Sequence, residues 1–415
     1  MHDMSERRFD RRRFLRDAVV AGASVPVVGA ILAACSPGGG DPADGPLPVD
    51  ADLVMPSGLP VERDATLRVY QWKEYLAPGV LDAFERSHRS AGVRVEVQSF
   101  LHIDEAVARL QQPDADFDVV FPTVDVVAGL AADRLLRPLN HDYIPNLVNL
   151  WPRFGDGGAF YDPGARYTTP YTVYSSGIGW RSDMVPSGDA PDAMDEPFDV
   201  FWDPRYRNRV GMYDQYLEAL SLALLRDGVV DLHAATQDDL VAASDALTEA
   251  VRVTALRFTD EGAEEGLPEG AFAVHQAWSG DVLTAPRYAE TDRRTISRTL
   301  RYWSPSGSRK VVGVDLTAVA ARGRNPVLAH AFLNHLLAFE VAMDNFSWNG
   351  YQPPIEGATR EAFSDASFPW RDAVPQNLIE TILTPQEFDA GQMLVGFGPT
   401  ERARWLAQWN RVRPA

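Results

Sequence analysis

Residues 66–98, TLRVYQWKEYLAPGVLDAFERSHRSAGVRVEVQ, decide the fold, because two hydrophobic periodicities alternate within them. TLRVYQ is a short strand run. Val80, Leu81 and Phe84 then recur at helical spacing, and Val93, Val95 and Val97 alternate with Arg94, Glu96 and Gln98 as in a half-buried strand. The alternation continues downstream. Ile103, Val107 and Leu110 form a helical stripe stopped by Pro113, FDVVF at 117–121 is an apolar run of strand length, and VDVVAGLAADRLL after it is helical. Such a βαβαβα order predicts an α/β fold with a parallel open sheet and right-handed crossovers. Open sheets of this class bind ligands outside the carboxyl ends of their strands. QWKEY (71–75) and PTVD (122–125) both fall at such ends, so their side chains are expected to border a cleft.

Upstream of this pattern the chain reads as an address rather than a fold. In DRRRFLRD, Arg11 and Arg12 are followed by Arg13, Phe14, Leu15 and Arg16, which resembles a twin-arginine export signal with Asp10 where Ser or Thr is usual. The uncharged run Ala18 to Ala34 is too short to span a bilayer comfortably and ends in small residues, as a signal-peptide core does. It closes on Leu32-Ala33-Ala34-Cys35, which looks like a lipobox. The expectation is a signal over 1–34, cleaved before an acylated Cys35, and a lipid-anchored flexible tether over 35–64, rich in Gly, Pro and Asp. Cys35 is the single cysteine, so no disulfide informs on the compartment.

The net charge is −19, and residues 1–34 carry six arginines against four acids, so the body is more acidic still. That charge argues against nucleic acid and anionic membrane surfaces and favours cationic partners. Only two lysines occur, Lys73 and Lys310. About 350 residues after the tether suffice for two lobes with separate cores. The middle of the chain, roughly 173–314, is less regular, with loop insertions such as DEGAEEGLPEG (260–270). NPVLAHAFLNHLLAFEVAMDNF (325–346) predicts one helix, with Asn325 at the N-cap and Pro326 at the first helical position.

Enzyme chemistry finds little support. Neither lysine follows a phosphate-cradling glycine run, no Gly-x-Ser-x-Gly elbow exists, and the eight histidines show no metal-binding spacing. Asp114, Asp116 and Asp118 have calcium-loop spacing, but Val119 stands where the required glycine would be. No cofactor, metal or catalytic residue is expected. Asp315 is the conspicuous acid: it interrupts the apolar run Val311 to Val319, and a carboxylate within a buried strand requires a partner.

An exported, tethered α/β body suggests a solute receptor, and ordered motifs narrow this. LRVYQWKEYLAPGVLDAF, FDVVFPT, PYTVYSSGIGW (170–180), EGAFAVHQAWSGD (269–281), VDLTAVA (314–320) and NGYQPP (349–354) resemble the spermidine/putrescine-binding proteins of ABC importers. The resemblance covers residues 66–415. It implies a two-lobed, type II periplasmic-binding-protein-like fold with a ligand cleft between lobes, lobe 1 being 65–172 plus 315–356 and lobe 2 being 173–314 plus 357–415. In that family aromatic rings line the methylenes of a polyamine and carboxylates meet its ammonium groups. Trp72 and Tyr75 would then be wall aromatics, Glu74 an ammonium partner, Trp278 the opposite wall, Tyr351 a further ring, and Asp315 and Glu218 carboxylates for amine ends. Thr123 stands for a small hydroxyl, and Gln392 is a weaker match. In five places this chain departs from the family: Gln215 replaces an acid, Gly313 a tryptophan, Asp125 a tyrosine, Asp260 a serine and Lys73 a small polar residue. Lys73 would repel a polyamine unless it points away or pairs with a neighbouring acid.

The implied protein is a monomeric, lipid-anchored, extracytoplasmic receptor for a polyamine or related organic cation. It would work with ABC permease subunits by hinge closure, through strands near 170–176 and 314–320. A binding protein for another solute such as an oligosaccharide, or an extracytoplasmic hydrolase, stays open at this point.

Overall fold

The computed structural model describes residue 47 and residues 49–155, 161–290 and 292–413. The twin-arginine stretch, the apolar run and Cys35 lie outside the described residues. Part of the expected tether is docked instead of solvated. Met55 is buried, the Arg137 guanidinium bonds the Leu53 carbonyl at 2.9 Å, and the Glu62 carboxylate accepts from the backbone N–H groups of Val327 (3.1 Å) and Leu328 (2.8 Å). These two are orphan donors at a helix start, where an anion is favoured.

The strands are β1 (Thr66–Trp72), β2 (Arg94–Phe100), β3 (Val119–Val120), β4 (Thr168–Arg181), β5 (Val210–Tyr213), β6 (Arg257–Thr259), β7 (Val274–Trp278), β8 (Leu300–Trp303) and β9 (Val311–Val319). They form one sheet in the order β2-β1-β3-β9-β4-β7-β5-β6, with β8 also paired to β4. The expected parallel start is present: β1 runs parallel to β2 and β3, and its crossovers are α1 (Pro78–Ser87) and α2 (Ile103–Gln111). The sheet as a whole is mixed, since β9 and β4 run antiparallel through its middle. As an edge strand β2 leaves Val97 exposed, so its alternation buries less than expected. Helix α3 (Val124–Ala132) follows β3 directly. FDVVF yields only two strand residues because the Asp118 carboxylate bonds the backbone of Arg68 and Asn325, both at 2.8 Å. Asp114 and Asp116 pair with Arg109 and Arg68, so the calcium-like spacing serves ion pairs.

Residues 325–346 form two helices rather than one. These are α7 (Pro326–Leu336) and α8 (Phe339–Asn349), which meet at 76°. The break at Leu337 frees a carbonyl that the Asn149 amide bonds at 2.9 Å. Between β5 and β6 lie α4 (Tyr216–Arg226) and α5 (Gln237–Thr254); α6 (Ser279–Thr284) follows β7, and α9 (Pro399–Val412) ends the described chain.

Two main apolar cores divide the chain. The first gathers Leu67, Phe84, Phe121, Leu316, Phe332 and Phe346; the second gathers Trp180, Phe201, Leu220, Leu247, Val274 and Trp409. Strand β4 passes between them, with Tyr171 and Val173 in the first core and Ile178 and Trp180 in the second. Strand β9 returns, Val311 lying in the second core and Val312 in the first. A third passage separates Met393 from Phe397. Much of residues 357–393, expected in lobe 2, packs elsewhere: Ala358, Phe363, Ile382 and Phe388 sit in the first core, whereas Leu378 packs with Leu300 and Tyr302 and Asn377 bonds the Ser297 and Leu300 carbonyls. The sequence motifs carried no signal for this return, because packing partners of short irregular helices leave no periodicity.

Candidate ligand-binding site

The site grows from the two strands that join the cores. A bulge at Tyr171 shifts the β4–β9 register, so that Thr172 faces Asp315, Tyr174 faces Gly313 and Ser176 faces Val311. Bulges of this kind re-aim side chains beside functional sites. The alternation along β4 puts Thr172, Tyr174 and Ser176 on one face. Asp315 there accepts from the Tyr75 hydroxyl and, at 3.2 Å, from the Thr172 hydroxyl, while Tyr75 and Thr172 contact each other at 2.7 Å. Burial pushes its carboxyl up to about 6, against the opposing pull of these two hydroxyls.

Two further carboxylates come from the second core. Glu218, in the first turn of α4, accepts from Ser176 Oγ at 2.7 Å, Trp278 Nε1 at 2.9 Å and Gln276 Nε2 at 3.1 Å. Burial raises its pKa, and the Trp278 and Ser176 bonds resist the rise. Asp281, in the first turn of α6, accepts from the hydroxyls of Tyr213 and Tyr351 and is likewise raised by burial. Among the described residues every side-chain donor to these three carboxylates is a hydroxyl, amide or indole, and none is a cation.

Rings connect the acids. Trp278 stacks on Tyr213 at 4.2 Å between centroids, and Tyr174 lies 5.8 Å from both Trp278 and Tyr351. Tyr351 meets Tyr75 edge to face at 5.6 Å. The wall expected to be lost at Gly313 is filled from across the strand pair: a Cβ on Gly313 would lie 2.2 Å from Tyr174 Cζ, so the tyrosine ring covers the glycine. Gly313→Ala is accordingly predicted to displace Tyr174 and lower stability by ~1–3 kcal/mol, measured by denaturant unfolding.

At the rim, Glu74 is exposed at φ +59°; its carboxylate accepts from Tyr288 at 2.8 Å and its carbonyl from Trp348 Nε1 at 3.2 Å. Lys73 pairs with Glu261 at 3.3 Å, one of the two ways its charge could be tolerated. Glu261, Glu264 and Glu265 can each offer an oxygen within 4.8 Å of the others. Burial, and then the neighbouring acids Asp281, Glu261, Glu265 and Glu74, hold the Glu264 carboxyl well above the usual range.

The expected residues do not all converge. Tyr75, Glu218, Trp278, Asp315 and Tyr351 form the box, with Glu74 at its rim. Thr123 is bridged to Asp315 through the backbone, and its hydroxyl bonds the exposed Asp125 at 2.6 Å. Trp72 rests on Phe100 at 4.7 Å, with its indole nitrogen enclosed and without a hydrogen-bond partner. Gln215 and Asp260 are exposed, and among the described residues no side-chain bond links either to the box. The acid beside Gln215, Asp214, pairs with Arg413. Gln392 is engaged with backbone: its amide reaches the Val230 and Ser308 carbonyls, and its oxygen accepts from Leu232 N–H at 3.1 Å. Tyr174, Tyr213, Asp281, Thr172 and Ser176 were missed. Three of these alternate within PYTVYSSGIGW, which marks a common face but not their partners on β9, and Asp281 follows Trp278 by about one helical turn.

Residues 79–369 match the sequence pattern of the bacterial extracellular solute-binding proteins. Over 281 residues, 67% of this chain and 72% of the relative, it is 26% identical to spermidine/putrescine-binding periplasmic protein 1 of Haemophilus influenzae. It is 24% identical to the putrescine-binding periplasmic protein PotF of Escherichia coli over 294 residues, 70% of this chain and 78% of that one. In three dimensions it superposes on the Tp0655 (TpPotD) lipoprotein of Treponema pallidum with a TM-score of 0.67 at 20% identity, covering 84% of this chain and 99% of that one. The two-lobed α/β fold and the ordered motifs thus agree, and the chain belongs to the bacterial extracellular solute-binding protein family.

Proposed function

We propose that the protein is the extracytoplasmic receptor of an ABC importer and captures a polyamine or related organic cation between its lobes for delivery to the permease. One observation carries this reading: three carboxylates, Glu218 and Asp281 buried and Asp315 half-buried, share an aromatic box with only neutral hydrogen-bond donors. A buried charge without a counter-charge costs several kcal/mol, and an ammonium ligand removes that penalty. Rings beside the acids supply apolar contact to methylenes and cation–π attraction of ~0.5–2 kcal/mol. The names of the periplasmic relatives support the same ligand class. A phosphate or carboxylate solute would need cationic donors where these acids stand.

The lobes correspond to the two cores, joined through β4, β9 and the passage at 393–397, and closure about these strands brings Tyr351 and Tyr75 against Trp278 and Asp281. Cys35 is the acylation site and the twin-arginine stretch the export signal. Isothermal titration of the full chain with putrescine, spermidine, spermine and a neutral oligosaccharide tests the ligand class. Saturable binding of an amine with none of the sugar is expected. Sugar binding, or silence toward every amine in a folded sample, overturns the reading.

A further inference from the structure

Two acidic grounds meet at Glu264. On one side is Asp281, held by two tyrosine hydroxyls of the box and carried on α6, which packs against the turn that bears Glu264; on the other are Glu261 and Glu265 of that same turn. The three glutamates stand on one tight turn, Gly262–Gly266 with Glu261 before it, in the half of the chain that supplies Trp278. A cation reaches this turn from the other half. Lys73, between Trp72 and Glu74 just past the end of β1, places its ammonium 3.3 Å from Glu261. The Lys73 side chain is two-thirds covered, while the Glu261 side chain is more exposed at the rim. The second lysine, Lys310, lies buried against Ser304 and Glu387, in a different ion-pair group.

We propose that Lys73 acts as a built-in counter-ion that occupies the acidic ground beyond Asp281, and so limits the amine accepted by the box to a short diammonium ligand. The inference rests on the amine reading above. In a box whose Asp315 and Asp281 are held by the hydroxyls of two touching rings, Tyr75 and Tyr351, two ammonium groups find carboxylates a short distance apart. A third ammonium extending past Asp281 meets the Lys73 charge and must displace it from Glu261. Without Lys73 no lysine charge stands in the way of that third ammonium.

The test is calorimetric titration of the full chain and its Lys73→Met and Lys73→Arg variants with 1,4-diaminobutane, spermidine and spermine. Wild type is expected to favour the diamine. Lys73→Met keeps the stem and removes the charge, and should shift the diamine-to-spermidine affinity ratio at least ~10-fold toward spermidine. Lys73→Arg should retain the wild-type ratio. An unchanged ratio in Lys73→Met, or a wild type that prefers spermidine, overturns the inference while leaving the amine receptor in place. If no protein of the set binds any amine, the receptor reading falls and takes this inference with it.

Discussion

Asp315→Asn is expected to weaken amine binding by roughly 10²–10³-fold, because it removes one partner of a buried charge pair, a change that costs about 2–5 kcal/mol in comparable interfaces. The substitution preserves shape, and the hydroxyls of Tyr75 and Thr172 still find an oxygen to bond. What disappears is the negative charge. The same variant should fold at least as stably as wild type at neutral pH without ligand. Raising a carboxyl from 3.8 to about 6 by burial means that its ionised form opposes folding, and a shift of about two units corresponds to on the order of 3 kcal/mol. Calorimetric titration and thermal unfolding of one sample measure both effects. Retained affinity within a few-fold would remove Asp315 from the ligand contacts.

The second large effect concerns pH, and its two parts have opposite signs. The folded-state pKa of Asp315 lies above its unfolded value, so the folded protein binds the proton more tightly. The contribution of Asp315 to the stability of the empty protein should therefore rise as pH falls through about 6, complete below the unfolded value of 3.8, while the buried His275 and His330, whose pKa values burial lowers to about 4, contribute with the opposite sign. Affinity for an ammonium ligand should move the other way. Below about 6 the neutral Asp315 offers no charge, and Asp281, raised by burial in the same direction, adds to the loss. The expected slope is ~10-fold per pH unit from Asp315 alone and steeper with Asp281. Unfolding midpoints of the empty protein compared with those of Asp315→Asn, and binding isotherms, from pH 7.5 down to 4.5 would show the wild type gaining on the variant while the shift caused by ligand vanishes. A flat affinity over that range would contradict charge recognition by these acids.

The parts of the site that were legible in sequence are those with a local signature. Asp315 stands out because it breaks an apolar strand, and Tyr75 and Trp278 sit where strands end. Tyr174 was not legible for a physical reason. Its role depends on which residue of β9 it faces, and that register is set by the bulge at Tyr171, which only the paired strands reveal. Gly313 alone reads as a lost wall, whereas Gly313 beneath Tyr174 is an exchanged one. Helix α7 and helix α8 misled in a similar way. The apolar spacing runs on through Leu337 with no proline or glycine to mark the bend, and the bend is stabilised by an Asn149 amide distant in sequence. Gln392 matched by position, yet its amide joins backbone segments at 230–232 and 308.

The three passages between the cores also govern how the chain acquires its shape during synthesis. The first core takes residues from 67 to 393, and the second takes 178 to 311 and then 397 to 412. Neither can be finished by the stretch that starts it. When residue 311 has emerged, most of the second core is available but α9, with Trp405 and Trp409, is absent; the first core still lacks β9, α7 and α8. Both must close on segments made much later than those that start them, across large sequence separations that slow folding and prolong exposure of apolar surface. A nascent chain of this design stays incomplete until α9 is made, so removing only α9 should compromise folding of the second lobe although every box residue would still be encoded.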